Sequence, residues 1–205
     1  MKANALSRRA ASLCCAALLS LCAAPLSLGG ARAHTPSAPK PEGRYALDEA
    51  ASDNVEAAIK EAVKHVVFYA RSAVAAGLRK STRPYRWIEI HDAEAEVSFS
   101  TDQWGAIKTT PDGKPVDWAR ADGEKFKVST VWEGSDLKQT FEGKNGRRVS
   151  TYSLDADGKT LTMSVNITSG WLKQPLTYRL IYRGGPCAPP PAQPTPASGK
   201  RKKQG

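Results

Sequence analysis

The sequence predicts a mainly β protein: an up-and-down antiparallel β-barrel, or a strongly curved half-barrel, of about eight to nine strands with one N-terminal α-helix as its lid. Three observations predict it. Apolar residues alternate with a period of two from Tyr85 onward, a single stretch of helical period precedes them, and turn pairs ending in glycine punctuate the second half. Those pairs are Asp112-Gly113, Asp122-Gly123, Glu133-Gly134, Asn145-Gly146, Asp157-Gly158 and Ser169-Gly170, at steps of 10, 11, 12, 12 and 12 residues. Tight hairpins of the favoured hand need positive φ at their central positions, which Asn, Asp and Gly tolerate. Even steps of that length mean sequential antiparallel hairpins, and closing such a twisted sheet removes its exposed edges.

The elements follow in order. Residues 1–33 read as an export signal: Lys2, Arg8 and Arg9 precede an apolar run that breaks at Pro25 and closes on Ala31-Arg32-Ala33, a small-x-small cleavage site. The run is too rich in Ala and Ser, and too interrupted, for a membrane span, so no transmembrane segment is expected in the mature chain. Ser7-Arg8-Arg9 has the look of a twin-arginine signal, but Ala11 and Ser12 stand where that pattern prefers bulkier residues, which favours the general secretory route. The expected location is the periplasm or the extracellular space. Removing residues 1–33 leaves Cys187 alone of the four cysteines, so the domain must be held by its core rather than by a disulfide.

Residues 34–42 form a Pro-rich lead-in, and "GRYALD" from Gly43 is a short strand. The helix comes next: Asp53 is placed to cap it, with Glu56 as the capping-box partner. Val55, Ile59, Ala62, Val63, Val66, Val67, Ala70 and Val74 then give one apolar stripe, ending at Gly77. "YRWIEIH", "AEVSFST", "WGAIKTT" and "KPVDWAR" are strand candidates, the last with Pro115 at its start. Further on, Phe126, Val128, Thr130 and Trp132 share one face; Leu137, Gln139 and Phe141 share another. Leu161, Met163, Val165 and Ile167, then Leu176, Tyr178, Leu180 and Tyr182, continue the alternation. The domain therefore spans residues 43–184. Residues 185–205 are a Pro-rich tail ending in a basic run, expected to be disordered.

The organisation of residues 43–184 resembles the calycins, the lipocalins and fatty-acid-binding proteins. Lipocalins open on a Gly-x-Trp strand and end with an arginine packed across that ring; Gly43-Arg44-Tyr45 and Arg183 stand at matching ends here, with tyrosine in place of tryptophan. The helix follows the first strand, as in fatty-acid-binding proteins. The resemblance implies a cup for an apolar molecule, carried in the periplasm instead of the cytosol. The half-barrel of periplasmic lipoprotein carriers is a second likeness and implies an apolar acyl-binding face.

Charge excludes one class of partner. Of 30 basic residues, eight lie in the leader or the terminal "KRKK", leaving 22 against 20 acidic ones in residues 34–199. A nearly neutral domain is no nucleic-acid binder. The inward face suggests a pocket instead, in which Trp118, Trp132, Phe141, Met163 and Tyr178 grip an acyl chain or ring while Gln139 and Tyr178 supply hydrogen bonds. The same residues could simply fill a small barrel.

Catalysis is not expected. His34 lies beside the cleavage point, His65 has no second histidine at a metal-binding spacing, and the "HDAEAE" cluster from His91 straddles a turn. There is no Gly-x-Ser-x-Gly elbow and no phosphate loop, and no cofactor or metal is expected. Two readings remain open: a carrier of a small apolar molecule or lipid, and a non-catalytic envelope scaffold whose Pro-rich basic tail touches an anionic surface.

Overall fold

Alternating side chains and short corners fold the chain back on itself until almost every strand has two neighbours. The computed structural model describes residues 39–93 and 95–185. The predicted leader, most of the lead-in, Glu94, Cys187 and the basic tail lie outside them. Ten strands form one antiparallel sheet: β1 (Gly43–Asp48), β2 (Trp87–Ala93), β3 (Glu96–Thr101), β4 (Ile107–Thr109), β5 (Val116–Ala119), β6 (Lys125–Glu133), β7 (Asp136–Gly143), β8 (Gly146–Leu154), β9 (Thr160–Thr168) and β10 (Leu176–Gly185). Their spatial order is β4-β3-β2-β1-β10-β9-β8-β7-β6-β5. The sheet curls into a nearly closed barrel. Its two outer strands are not paired; instead Thr109 of β4 meets β6, where its hydroxyl lies 2.7 Å from that of Thr130, and Gly113 N–H donates to the Thr130 carbonyl at 2.9 Å. The strands expected at "WGAIKTT" and "KPVDWAR" form β4 and β5 beside this gap, and the count exceeds eight to nine through β8, a segment for which no strand candidate was named.

Corner chemistry works as expected at three of the six turn pairs, where Gly123, Gly134 and Gly158 adopt positive φ between paired strands; Gly113 also has positive φ, but it lies between β4 and β5, which do not pair. Gly146 serves another purpose. It pairs with Gly143 across a Lys144-Asn145 corner, and a Cβ on Gly146 would run into the Thr168 carbonyl of β9. Ser169-Gly170 is not a tight hairpin either, because residues 169–175 make a longer connection carrying Trp171 and Leu172.

The helical stretch is two helices rather than one. Val55–Ala62 forms α1, a 3₁₀ turn follows over Val63–His65, and Phe68–Ser81 forms α2. The periodic valines run straight through the break, yet Val66 and Val67 have extended ψ of 141° and 137°. Arg71 holds the corner, donating from Nη2 to the carbonyls of Lys64 (2.8 Å) and Val66 (3.1 Å), which lack helical partners there. The expected capping box is replaced. Asn54, not Asp53, caps α1 through Ala57 N–H at 2.9 Å. The Asp53 carboxylate accepts from Arg179 N–H of β10 at 2.7 Å, and Glu56 pairs with Arg79 of α2. Gly77 does not end α2. Thr82 N–H and its hydroxyl both reach the Leu78 carbonyl at 2.8 Å and close the last turn.

The terminal arginine departs from the lipocalin pattern. Arg183 is exposed and donates to Asp48 and Thr160, whereas Arg44 stacks on Trp87, 3.9 Å from the ring centre. Tyr45 is fully buried opposite Gly184. Register explains it, since Arg183 pairs with Ala46 and points outward.

Candidate binding cavity

Two hydrophobic clusters fill the barrel to different degrees. The larger gathers Tyr45, Phe99, Tyr152, Leu161, Met163 and Tyr182 with Ile59, Val63 and Val66 from the α1 region. The smaller holds Ile107, Val128 and Phe141, with Trp104, Val116, Trp118 and Phe126 packed on it near the gap. Between this second cluster and α2 lies a cavity of about 530 Å³, within the usual range for small-molecule sites. On one side it meets the small residues Ala70, Ala73, Val74 and Gly77 of α2; on the other stand Trp104, Trp118, Phe126, Phe141, Ile167 and Trp171. The rings touch one another: Trp104 and Trp118 are 5.4 Å apart between centres, and Trp118 is 5.9 Å from both Phe126 and Phe141.

Of the six residues read from the sequence, Trp118 and Phe141 line this cavity. Trp132, Gln139, Met163 and Tyr178 do not. Met163 is fully buried in the larger cluster. Trp132 lies beneath Lys40, whose Nζ sits 4.2 Å from the ring centre. Gln139 and Tyr178 are buried, and Gln139 Oε1, Tyr178 Oη and the indole nitrogens of Trp104 and Trp132 have no hydrogen-bond partner among the described residues. Orphaned polar atoms of this kind call for water or a ligand's polar group. Of the histidines considered, His65 is exposed on the 3₁₀ turn, and His91 lies on β2 with Nε2 3.3 Å from the Glu89 carboxylate.

The cavity's electrostatics centre on Arg148, in a segment given no face in the sequence analysis. In "GRRVSTYSL" Arg148 shares the period-two face of Tyr152 and Leu154. Pairing agrees: Phe141, Arg148 and Ile167 are directly opposite one another on β7, β8 and β9, so they share the inner face. Arg148 Nη1 donates to the Ser81 carbonyl and the Tyr85 hydroxyl, both at 3.0 Å, and Nε to Ser150 Oγ at 3.3 Å. Its guanidinium also lies 5.4 Å from the Tyr85 ring centre. Four cations line the cavity. Lys80 and Arg120 face Asp122 at 2.7 and 2.8 Å, and Arg147 faces Glu142 at 3.2 Å. Arg148 has no carboxylate partner among the described residues, and its Nη2 makes no hydrogen bond there. Burial pushes the Tyr85 hydroxyl up to about 12 despite the adjacent guanidinium, so at neutral pH it is a neutral acceptor and leaves the charge uncancelled. The signal for Arg148 lay in register, and that for Trp104 in a turn: Thr101 Oγ1 accepts from Trp104 N–H at 3.2 Å and aims the indole inward from a segment read as strand.

Large apolar side chains are exposed at the start of α2 and in the β9–β10 connection. Phe68 and Tyr69 at the start of α2 are 84% and 76% exposed, and Trp171 is 58% exposed.

No protein-family model matches the chain, and no curated protein sequence does. Solved structures share its fold. A secretory abundant heat soluble protein of Ramazzottius varieornatus superposes with a TM-score of 0.51 at 12% identity, covering 70% of this chain and 94% of that one. A fatty-acid-binding protein from brain tissue of Drosophila melanogaster gives 0.46 at 16% identity over 70% and 98%. A fatty acid transporter designated REP1-NXSQ gives 0.46 at 19% over 69% and 93%. Sheet order, the helical lid between β1 and β2 and the first of these superpositions define a calycin-like β-barrel.

Proposed function

We propose that the chain binds a small apolar molecule carrying an anionic head, in the cavity between α2 and the aromatic cluster. One observation carries the reading: a cation without a carboxylate partner among the described residues stands in an aromatic-lined cavity. A half-buried charge is strengthened by a charged partner, and an anion on Arg148 Nη2 would complete the set its other nitrogens begin. Apolar surface removed from water, at roughly 25 cal/mol per Å², supplies the rest of the affinity, and no covalent step is required. The cavity supports this carrier reading over that of a filled scaffold. We further propose that the leader of residues 1–33 directs the domain to the periplasm or outside the cell, where such a carrier would work.

The test is purification of the full chain from its own host followed by native mass spectrometry, with an anionic naphthalene sulfonate dye as a second probe. Expected are a co-purifying adduct of small mass and dye binding that the Arg148→Met variant weakens. Absence of both an adduct and dye binding would contradict the proposal.

A further inference from the structure

Resting on that reading, we infer that the ligand is a compact, ring-shaped aromatic anion rather than a long acyl chain. The inference comes from what lies on each side of the cavity and from what lies beneath it. A long chain gains affinity by running its methylenes through apolar interior, and each methylene left in water forfeits that gain. Here the way inward is closed. Tyr85, Phe99 and Tyr152 stack behind Arg148, with ring centres 6.5 and 5.1 Å apart, and each is at most 2% exposed. None of the three contributes to the cavity lining. Entry of a chain would have to displace Tyr85 from its 3.0 Å contact with Arg148.

The cavity lies instead between α2 and the aromatic wall. Its barrel side is dominated by indole and phenyl rings, which favour offset or edge-on contact with other rings. Its helix side presents Ala70, Ala73 and Gly77 between the larger Val74, Leu78 and Lys80, and nothing lies within 4 Å of where a Gly77 Cβ would be, so a flat body can lie against α2 at Gly77 without meeting a side chain. Arg148 fixes which end of the ligand points inward, because a planar guanidinium matches the planar carboxylate of an aromatic acid.

Three probes separate the possibilities: pyrene-1-carboxylate, hexadecanoate and neutral 1-pyrenemethanol, titrated into the full chain while tryptophan fluorescence is followed. Pyrene-1-carboxylate and hexadecanoate share a head and differ in shape. The expected result is that pyrene-1-carboxylate binds at least about tenfold more tightly than hexadecanoate, a gap of about 1.4 kcal/mol. Arg148→Met should cost pyrene-1-carboxylate about tenfold, the scale of one charge-assisted hydrogen bond, and leave 1-pyrenemethanol within about twofold. Trp118→Leu keeps the wall apolar and removes its ring, so it should weaken both pyrenes and spare hexadecanoate; it also keeps the test decisive should Arg148→Met fail to fold. Equal or tighter binding of hexadecanoate overturns the inference while leaving the binding function standing. Failure of every probe to bind the unaltered chain overturns both.

Discussion

At one end of the barrel Tyr45, Phe99, Tyr152, Leu161 and Tyr182 are 0–1% exposed, whereas at the other Trp104, Trp118, Phe126 and Phe141 surround about 530 Å³ of open space. The first draws on β1, β3, β8, β9 and β10 and the second on β5, β6, β7 and the β3–β4 connection, with the same alternation turning the strand residues inward. The ends also differ in what the helical segment brings to each. The α1 region and the 3₁₀ turn deliver Ile59, Val63 and Val66 into the larger cluster. The face of α2 above the smaller cluster carries Ala70, Ala73 and Gly77. Period-two patterning states which side chains face inward; whether the inside is full depends on the volumes that arrive from the opposite wall.

High pH should separate the two ends most sharply. Burial raises the hydroxyls of Tyr45, Tyr85, Tyr152, Tyr178 and Tyr182 above their ordinary 10.0, Tyr85 to about 12. A raised folded-state value means that their stabilisation is complete below 10.0 and is lost as pH climbs through the folded values. Tyrosinate absorbance of these residues and loss of near-UV circular dichroism should therefore rise together in one cooperative step. Tyrosines that titrate singly while the fold persists would show that the filled end is not closed.

Substitution sharpens the contrast. Met163→Ala removes a fully buried side chain and should cost about 2–5 kcal/mol in urea unfolding. It should leave dye affinity unchanged, since Met163 is absent from the cavity lining. Phe126→Ala acts on a ring already open on one side, so the loss should be below about 2 kcal/mol while dye binding falls. Similar stability losses at both sites would erase the distinction between the ends. Gly77→Ala meets open space in a helix interior and should raise stability by about 0.5–1 kcal/mol; destabilisation would place a hidden contact there.

The smallest effect belongs to the rim. The Arg120 guanidinium, then the Lys80 ammonium, holds the Asp122 carboxyl below its ordinary 3.8. Stability gained from a lowered carboxyl is present above 3.8 and drains as pH falls below it. Asp122→Asn should flatten the acid limb of the stability curve slightly, and added salt should hide the difference.

These contrasts also mark what the sequence could show. Strand order was legible because Leu161, Met163, Val165 and Ile167 alternate without a slip, and because Asp157-Gly158 and Glu133-Gly134 carry their own turn chemistry. The break in the helix was not, since Val66 and Val67 keep the apolar period and Arg71 enforces the corner through backbone carbonyls seven and five residues away. Nor was Arg148 read as a site residue: its inward place follows from pairing with Phe141 and Ile167, and a charged side chain on the face of Tyr152 carries no hydrophobic signal of its own. Trp118 and Phe141 line the cavity. Trp132, Gln139, Met163 and Tyr178 satisfy the period-two rule and lie outside the cavity, because facing inward and facing empty space are separate properties.

The account stands or falls on ligand lying against α2. Gly77→Phe, which projects a ring into that space from a helix position without steric neighbours, tests it by naphthalene sulfonate titration at matched thermal stability. Binding reduced by at least about tenfold with an unchanged melting temperature is the predicted result. Affinity equal to that of the unaltered chain would put the ligand elsewhere and contradict the account.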